Sequence, residues 1–224
     1  IWNRRKNGET YPEWLTITAV RDSEGHTTHY VGMFQDITAR KMAEDEIRAL
    51  AFYDPLTQLP NRRLLLDRLR QGLSASDRSG AHGALLFIDL DDFKMLNDTL
   101  GHDMGDLLLR EVARRLVACV READTVGRMG GDEFVVMLEN LAHSARGASA
   151  QVEQVAEKIR IALSQPYPLG ERRHHGTASI GITLFRDHLS EIDDLLKRAD
   201  LAMYQAKEAG RNTVRFFDPA MQAA

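Results

Sequence analysis

Residues 130–134 read Gly-Gly-Asp-Glu-Phe, between two short runs of strand character, Thr125 to Met129 and Phe134 to Leu138. Paired glycines suit a hairpin turn at positive φ and leave no side chains to keep a bulky anion from the backbone. Asp132 and Glu133 follow at once, two hard oxygen donors of the kind that join a divalent cation to a polyphosphate. A second acidic group, Asp89 with Asp91 and Asp92, closes the apolar run Ala84 to Ile88. Carboxylates at the carboxyl end of a buried strand are a common way to present metal ligands. If the two strands are neighbours, Asp89 and Asp132 can share Mg²⁺ and stabilise charge on an attacked phosphorus. Neither group holds the histidines or cysteines expected for zinc.

Between the acidic groups lie Lys94, a point charge suited to phosphate, and two residues that together match a guanine edge. The amide of Asn97 can meet O6 and N7, and the carboxylate of Asp106 can accept from N1–H and N2–H₂. Each also has a plainer reading, Asn97 as a turn former and Asp106 as the N-cap of a helix opening at Leu107.

These residues need a scaffold, and the hydrophobic periodicity predicts one. Arg62 to Leu73 reads as a helix, Ala84 to Asp89 as a buried strand, and the stretch to Gly105 as a polar segment. Asp106 to Arg121 is a helix with Leu108, Val112, Leu116 and Val120 stacked, and Cys119 packs in its apolar stripe. After the glycine hairpin come a helix from about Ala150 to Leu163 and a long strand or hairpin arm from His174 to Phe185. A helix marked by Ile192, Leu195, Leu196, Ala199, Met203 and Ala206 and a last strand from Thr213 to Phe217 complete the pattern. Ser74 to Gly83 reads as a flexible loop. Arg62-Arg63 and Arg114-Arg115 read mainly as solvated helix faces, and His174-His175 as surface or packing residues. The fold class is α+β, with a mixed central sheet flanked by helices.

Upstream, residues 1–38 are β-like, with an alternating run from Glu13 to Val20, a turn at Asp22-Ser23-Glu24-Gly25 and a strand from His29 to Phe34. Residues 39–53 read as a linker helix whose stripe is Ala43, Ile47 and Leu50. The chain opens at Ile1 inside strand-like sequence and so reads as a piece of a longer protein.

At 224 residues, 43% apolar and 28% charged, the composition is that of a globular protein with a sizeable core. A net charge of −4 argues against nucleic-acid binding, because there is no basic surplus to neutralise phosphate chains. No apolar run is long enough for a membrane span, so no membrane contact is expected of this segment. A single cysteine excludes an intrachain disulfide and fits a reducing, cytoplasmic setting.

Several motifs together resemble the GGDEF family of diguanylate cyclases. They are Asp54-Pro55-Leu56-Thr57 through Arg62, the Asp89 to Asp106 stretch, Arg128 to Phe134, Ala178-Ser179-Ile180-Gly181, and Ala199-Asp200 through Met203-Tyr204 to Asn212. The resemblance covers about residues 50–217 and implies condensation of two GTP molecules into cyclic di-GMP with release of two pyrophosphates. It implies a palm-like sheet of the nucleotidyl-cyclase type. It also implies Mg²⁺ or Mn²⁺ held by Asp89, the Leu90 carbonyl, Asp132 and Glu133. Asp132 is the implied activator of the attacking 3′-hydroxyl, with Glu133 and Lys94 also in the reacting machinery. Asn97 and Asp106 would bind guanine. Lys94, the Phe93 backbone, Lys207 and Arg211 would hold phosphates beside Gly130 and Gly131. One domain binds one GTP, so a homodimer is implied, with dimer geometry as the control point.

Arg121-Glu122-Ala123-Asp124 resembles the family's RxxD inhibitory site for cyclic di-GMP, and Arg suits phosphate contact and guanine stacking. Asn7-Gly8-Glu9 with the following strands to Asp36-Ile37-Thr38 resembles the C-terminal half of a PAS sensor domain. The expected domains are thus a partial PAS over 1–38, a linker helix over 39–53, a GGDEF domain over 54–218 and a tail over 219–224. Phe216 to Met221 resembles the lead into an EAL phosphodiesterase domain. Two rival readings are a silent module that binds GTP or cyclic di-GMP without turnover, and a mononucleotide cyclase. The intact Asp89, Asp132 and Glu133 speak against the first, and the RxxD and Asn97/Asp106 patterns against the second.

Overall fold

The structure, a computed structural model, describes residues 1–170, 172–186 and 191–222. It divides into two compact units, Ile1–Ala51 and Phe52–Ala224. The first unit holds the antiparallel sheet β1 (Trp2–Arg4), β2 (Thr10–Arg21) and β3 (Thr27–Asp36). Its β2–β3 turn forms where Asp22 Oδ1 accepts the amides of Glu24 and His26 at 3.0 and 2.9 Å. Such Asx bonding is why Asp-x-x-Gly reads as a turn. Helix α1 (Thr38–Phe52) opens on a similar device, in which Asp36 Oδ1 accepts the Thr38 amide at 2.9 Å and its hydroxyl at 2.6 Å. Those bonds, with the Arg5 guanidinium, hold the Asp36 carboxyl down at about 2. The α1 stripe residues Ile47 and Leu50 are exposed, as is Met42.

The second unit is a five-stranded mixed sheet between helices. Its elements are α2 (Arg62–Ser79), β4 (Gly83–Leu90), α3 (Phe93–Leu100), α4 (His102–Cys119), β5 (Thr125–Gly130), β6 (Glu133–Leu138) and α5 (Ala145–Leu163), followed by β7 (Tyr167–Leu169), β8 (Arg172–His174), β9 (Ala178–Phe185), α6 (Ile192–Glu208) and β10 (Val214–Phe216). The sheet order is β10-β9-β4-β6-β5, with β10 parallel to β9 and the other pairs antiparallel. Strand β4 is buried along its whole length, as a near-continuous apolar run at the centre of a two-faced sheet must be. Its period of two sends Ala84, Leu86, Ile88 and Leu90 into the core under α4 and α5, and Leu85 and Phe87 into the core under α2 and α6. Asp89 continues the second set and therefore faces α6. On β6 the same alternation puts Glu133 on that face with Val135 and Met137.

Helix α6 lies close on the sheet because Gly181 carries no side chain. A Cβ there would stand 2.1 Å from both the Ala199 carbonyl oxygen and the Met203 amide nitrogen.

Several expectations are corrected. Ser74 to Ser79 is helix, not loop; α2 ends at Gly80, whose φ of 69° closes a left-handed C-cap. Polar residues misled there because the outer face of an amphipathic helix is polar too. The segment before Gly105 contains α3 and the start of α4. Asp106 is therefore not the N-cap of a helix opening at Leu107; it lies inside α4, whose N-cap is Gly101. Helix α5 opens at Ala145, five residues before the expected start, because the Ser144 side chain caps it by accepting the Gly147 amide. The stretch His174 to Phe185 is not one strand: β8 pairs with β7, and β9 begins at Ala178. Arg115 is not a solvated side chain; it donates to the carbonyls of Ala162, Gln165 and Pro166 and lies 3.9 Å over the Tyr167 ring. Cys119 is buried, as its stripe predicts. Among the described residues no helix is long and apolar enough to cross a membrane. The expected tail includes residues 223 and 224, which lie outside the described residues.

Candidate functional site

The hairpin β5–β6 turns on Gly131 and Asp132. Gly130 has φ 151° and Gly131 φ 52°, both in the region that favours glycine. Nothing lies within 4 Å of where a side chain would stand on either glycine, so the turn has open space above it. In the ladder Asp89 stands directly opposite Glu133, and the Leu90 amide donates to the Asp132 carbonyl at 3.4 Å. The two acidic groups of the sequence are thus brought together at one sheet end.

Lys207, in the last turn of α6, places its ammonium 2.8 Å from Asp89 Oδ1. Burial pushes the Asp89 carboxyl above the usual range; Lys207 pulls it back, while Asp132 and Asp91 push further. Burial likewise raises Glu133, and the charges of Asp89, Asp200 and Asp132 add to it. Carboxylates crowded and desolvated in this way gain from a cation.

Among the described residues no three acidic or imidazole side chains converge tightly enough to hold a metal alone. The donor set nevertheless fits Mg²⁺. All its members are oxygens, and Mg²⁺ typically takes one or two carboxylates and completes its shell with substrate phosphates and water. In this structure the cation paired with Asp89 is the Lys207 ammonium.

Next to this end lies α3. Its N-cap Asp92, at φ 59°, makes no side-chain capping bond, so first-turn amides such as that of Phe93 are available to an anion. Lys94 is exposed on α3. Asn97 packs over Gly105, where a Cβ would meet its Oδ1 at 2.0 Å, and this sets it beside the residue preceding Asp106. The buried Asn97 Oδ1 has no hydrogen-bond partner. Arg211, at φ 64°, holds Nε 3.8 Å from Asp92 Oδ1 and so joins the same rim.

Two residues inside the motifs, Asp91 and Arg128, support the site, a role their spacing does not suggest. Asp91 accepts from the Thr177 and Ser179 hydroxyls at 2.6 and 2.7 Å and from the Asn212 amide at 3.1 Å. It is a brace, and with its oxygens so used it is not a metal ligand. Arg128 gives Nη1 to both Asp54 oxygens, at 3.0 and 3.1 Å, and Nε and Nη2 to the Gly131 carbonyl, at 3.0 and 2.7 Å. Burial raises the Asp54 carboxyl, but bonds from Thr57 and Arg128 outweigh it and leave it lowered. The Asp54-x-x-Thr57 spacing was the available signal, since Asp54 Oδ1 accepts both the Thr57 amide and hydroxyl.

At the other end of β5 is the Arg121–Asp124 turn. Asp124 is engaged, accepting the amides of Arg121 at 2.9 Å and Glu139 at 3.4 Å. The turn borders a cavity of about 390 Å³ lined also by Glu139, Gln154, Val155 and Lys158.

Comparison with known proteins agrees with this geometry. The family model "Diguanylate cyclase, GGDEF domain" matches residues 51–213. The chain is 45% identical over 186 residues to the bifunctional diguanylate cyclase/cyclic di-GMP phosphodiesterase MucR of Pseudomonas aeruginosa, covering 83% of this chain and 26% of MucR. It spans about a quarter of the length of curated relatives such as MucR. The solved GGDEF domain of TpbB from Pseudomonas aeruginosa has a TM-score of 0.71 at 37% identity, covering 76% of this chain and 97% of that one. The coiled coil and GGDEF domain of DgcB from Caulobacter crescentus, in complex with c-di-GMP, has a TM-score of 0.71 at 27% identity, covering 80% and 93%. With sheet order, paired acidic groups and family match in accord, the chain belongs to the GGDEF family of diguanylate cyclase domains.

Proposed function

We propose that the chain is an active diguanylate cyclase, joining two GTP molecules into cyclic di-GMP with release of two pyrophosphates across a homodimer of GGDEF domains. The observation that carries this reading is the pairing of Asp89 with Glu133 beside Asp132, under glycines with nothing above them. Asp89, Asp132, Glu133 and the Leu90 carbonyl would hold Mg²⁺ or Mn²⁺. The bound ion supplies positive charge at the phosphates during displacement.

The chain's own residues do the rest. Asn97 and Asp106 orient guanine, the Asn97 amide nitrogen donating to O6 or N7 and the Asp106 carboxylate accepting from N1–H and N2–H₂. The Phe93 amide, Lys94, Lys207 and Arg211 hold the phosphates, and Asp132 takes the proton from the attacking 3′-hydroxyl. Each domain brings one nucleotide, so two domains must face each other before a hydroxyl meets a phosphorus.

Residues 1–38 serve as part of a PAS sensor, 39–53 as the transmitting helix, 54–218 as the cyclase and 219–224 as its tail, with an EAL domain as a further partner. Arg121 and Asp124 form the product site that restrains the enzyme, Arg121 as the contacting group and Asp124 as the acid that holds the turn presenting it. The setting is cytoplasmic, where GTP is available.

The test is GTP with Mg²⁺ and the purified chain, resolved for cyclic di-GMP and pyrophosphate, with Asp132→Asn alongside. No cyclic product at high protein concentration would leave the nucleotide-binding module as the better reading. Two residues inserted near Arg48 rotate the downstream end of the helix by about 200° and are expected to alter activity or its response to signal. An unchanged rate and response would remove the helix from the mechanism.

A further inference from the structure

We propose that Lys207 is a tethered counter-ion, holding the metal's place on Asp89 in the nucleotide-free protein and moving to the phosphates when metal and nucleotide arrive together. This rests on the proposed binding of metal and GTP. It adds a second position for Lys207, and with it a linkage between two ligands.

Three observations carry it. First, the Lys207 ammonium is the only protein group paired with the Asp89 side chain among the described residues, at 2.8 Å. Asp91, two residues on, has three hydrogen-bond donors and no ammonium. Asp89 was therefore left without fixed donors, and a movable charge balances it. Second, Asp89 stands among like charges. Asp132, Glu133 and Asp200 all act on this cluster, and Lys207 is the cation that offsets Asp89, Glu133 and Asp200 alike. Third, the group is a lysine at the end of a helix. Its compact charge sits on a flexible four-carbon stem, which can swing between partners where a planar guanidinium would be held.

A metal ion binding without nucleotide must displace the ammonium from Asp89 and leave it without a new partner. With a nucleotide present, the displaced ammonium meets a phosphate. Metal and nucleotide should therefore bind with positive coupling, and coupling free energies are reciprocal between the two ligands.

The experiment is calorimetric titration of Mn²⁺ alone, and of a non-hydrolysable GTP analogue with Mn²⁺ saturating, into the whole chain and its Lys207→Met variant. We expect Mn²⁺ alone to bind the variant about ten-fold tighter than the parent, and the analogue to bind the variant several-fold weaker. Mn²⁺ alone binding the variant no tighter than the parent would overturn the proposal. A second measurement needs no variant: on the parent, Mg²⁺ without nucleotide should shift the Lys207 side-chain resonances, and an unmoved signal at saturation would also overturn it. Asp89→Asn separates the two levels. If it leaves Mn²⁺ binding in the presence of analogue unchanged, the metal-site reading itself fails, and the counter-ion role with it.

Discussion

Strand β5 carries a turn at each end, and the two are built in opposite ways. At its start, Asp124 spends its carboxylate on two backbone amides, and Arg121 is left facing a cavity. At its end, Arg128 is used on Asp54 and the Gly131 carbonyl, and the carboxylates of Asp132 and Glu133 take no hydrogen bond among the described residues, beside glycines with open space above them. One turn fixes its acid and offers its base; the other fixes its base and offers its acids. Six residues of strand, at ~3.3 Å each, separate them by about 20 Å. A side chain's sign alone would not tell the two apart. What distinguishes them is which partner the backbone has already consumed.

The largest test of this contrast is Asp132→Asn. It removes an offered acid and should lower cyclic di-GMP formation by at least ~100-fold while the fold melts normally. Retained turnover would break the assignment of the Gly-Gly turn as the reactive one. Next is Arg128→Ala, which removes a consumed base. Leaving the partly buried Asp54 with its Thr57 bonds alone should cost about 1–2 kcal/mol of stability, read by denaturant unfolding. Unchanged stability would mean the Arg128 fork does not hold the turn. Third, Arg121→Ala should raise the cyclic di-GMP concentration needed for half-inhibition about ten-fold. Equal sensitivity in variant and parent would overturn the proposal that the first turn is a brake.

The smallest effect is on pH dependence. Glu133 has its folded pKa raised, so the folded state binds its proton more tightly than the unfolded one. The stability linked to that proton is present below 4.5 and is lost as the pH rises through the raised value. Glu133→Gln should therefore melt a few degrees higher than the parent at neutral pH without metal, with the gain vanishing below 4.5. A gain that persists at low pH would point to packing instead of charge.

Much of the fold and site was legible in residue types and spacing. The buried strand ending at Asp89, the hairpin at Gly130-Gly131 and the helix through Leu108, Val112 and Leu116 all follow from periodicity and turn chemistry. The pairing of Asp89 with Glu133 was a conditional statement, because which strands are neighbours depends on sheet order, and local sequence does not encode it. Polar helices were the main failure. Residues 93–105 are interrupted by Gly101 and Gly105 and residues 74–79 are almost wholly polar, so the first read as a polar segment and the second as loop, although Leu96 and Ser76 are buried in helices. Asp91, Arg128 and Lys207 could not be assigned their contacts, since each meets a partner remote in the chain. The distinction between a bracing and a reacting aspartate at Asp91 and Asp89 lies in donors supplied by β9 and the loop after α6.

The bond from that loop also orders events during synthesis. Asp91 needs the Asn212 amide, and Asp89 needs the Lys207 ammonium, yet both acids leave the ribosome more than a hundred residues earlier. Until α6 and the loop behind it emerge, the half-made sheet carries unbalanced charge at the end where GTP would bind. Contacts this distant in sequence close late. This end of the sheet therefore closes only once the last helix and loop of the domain are in place.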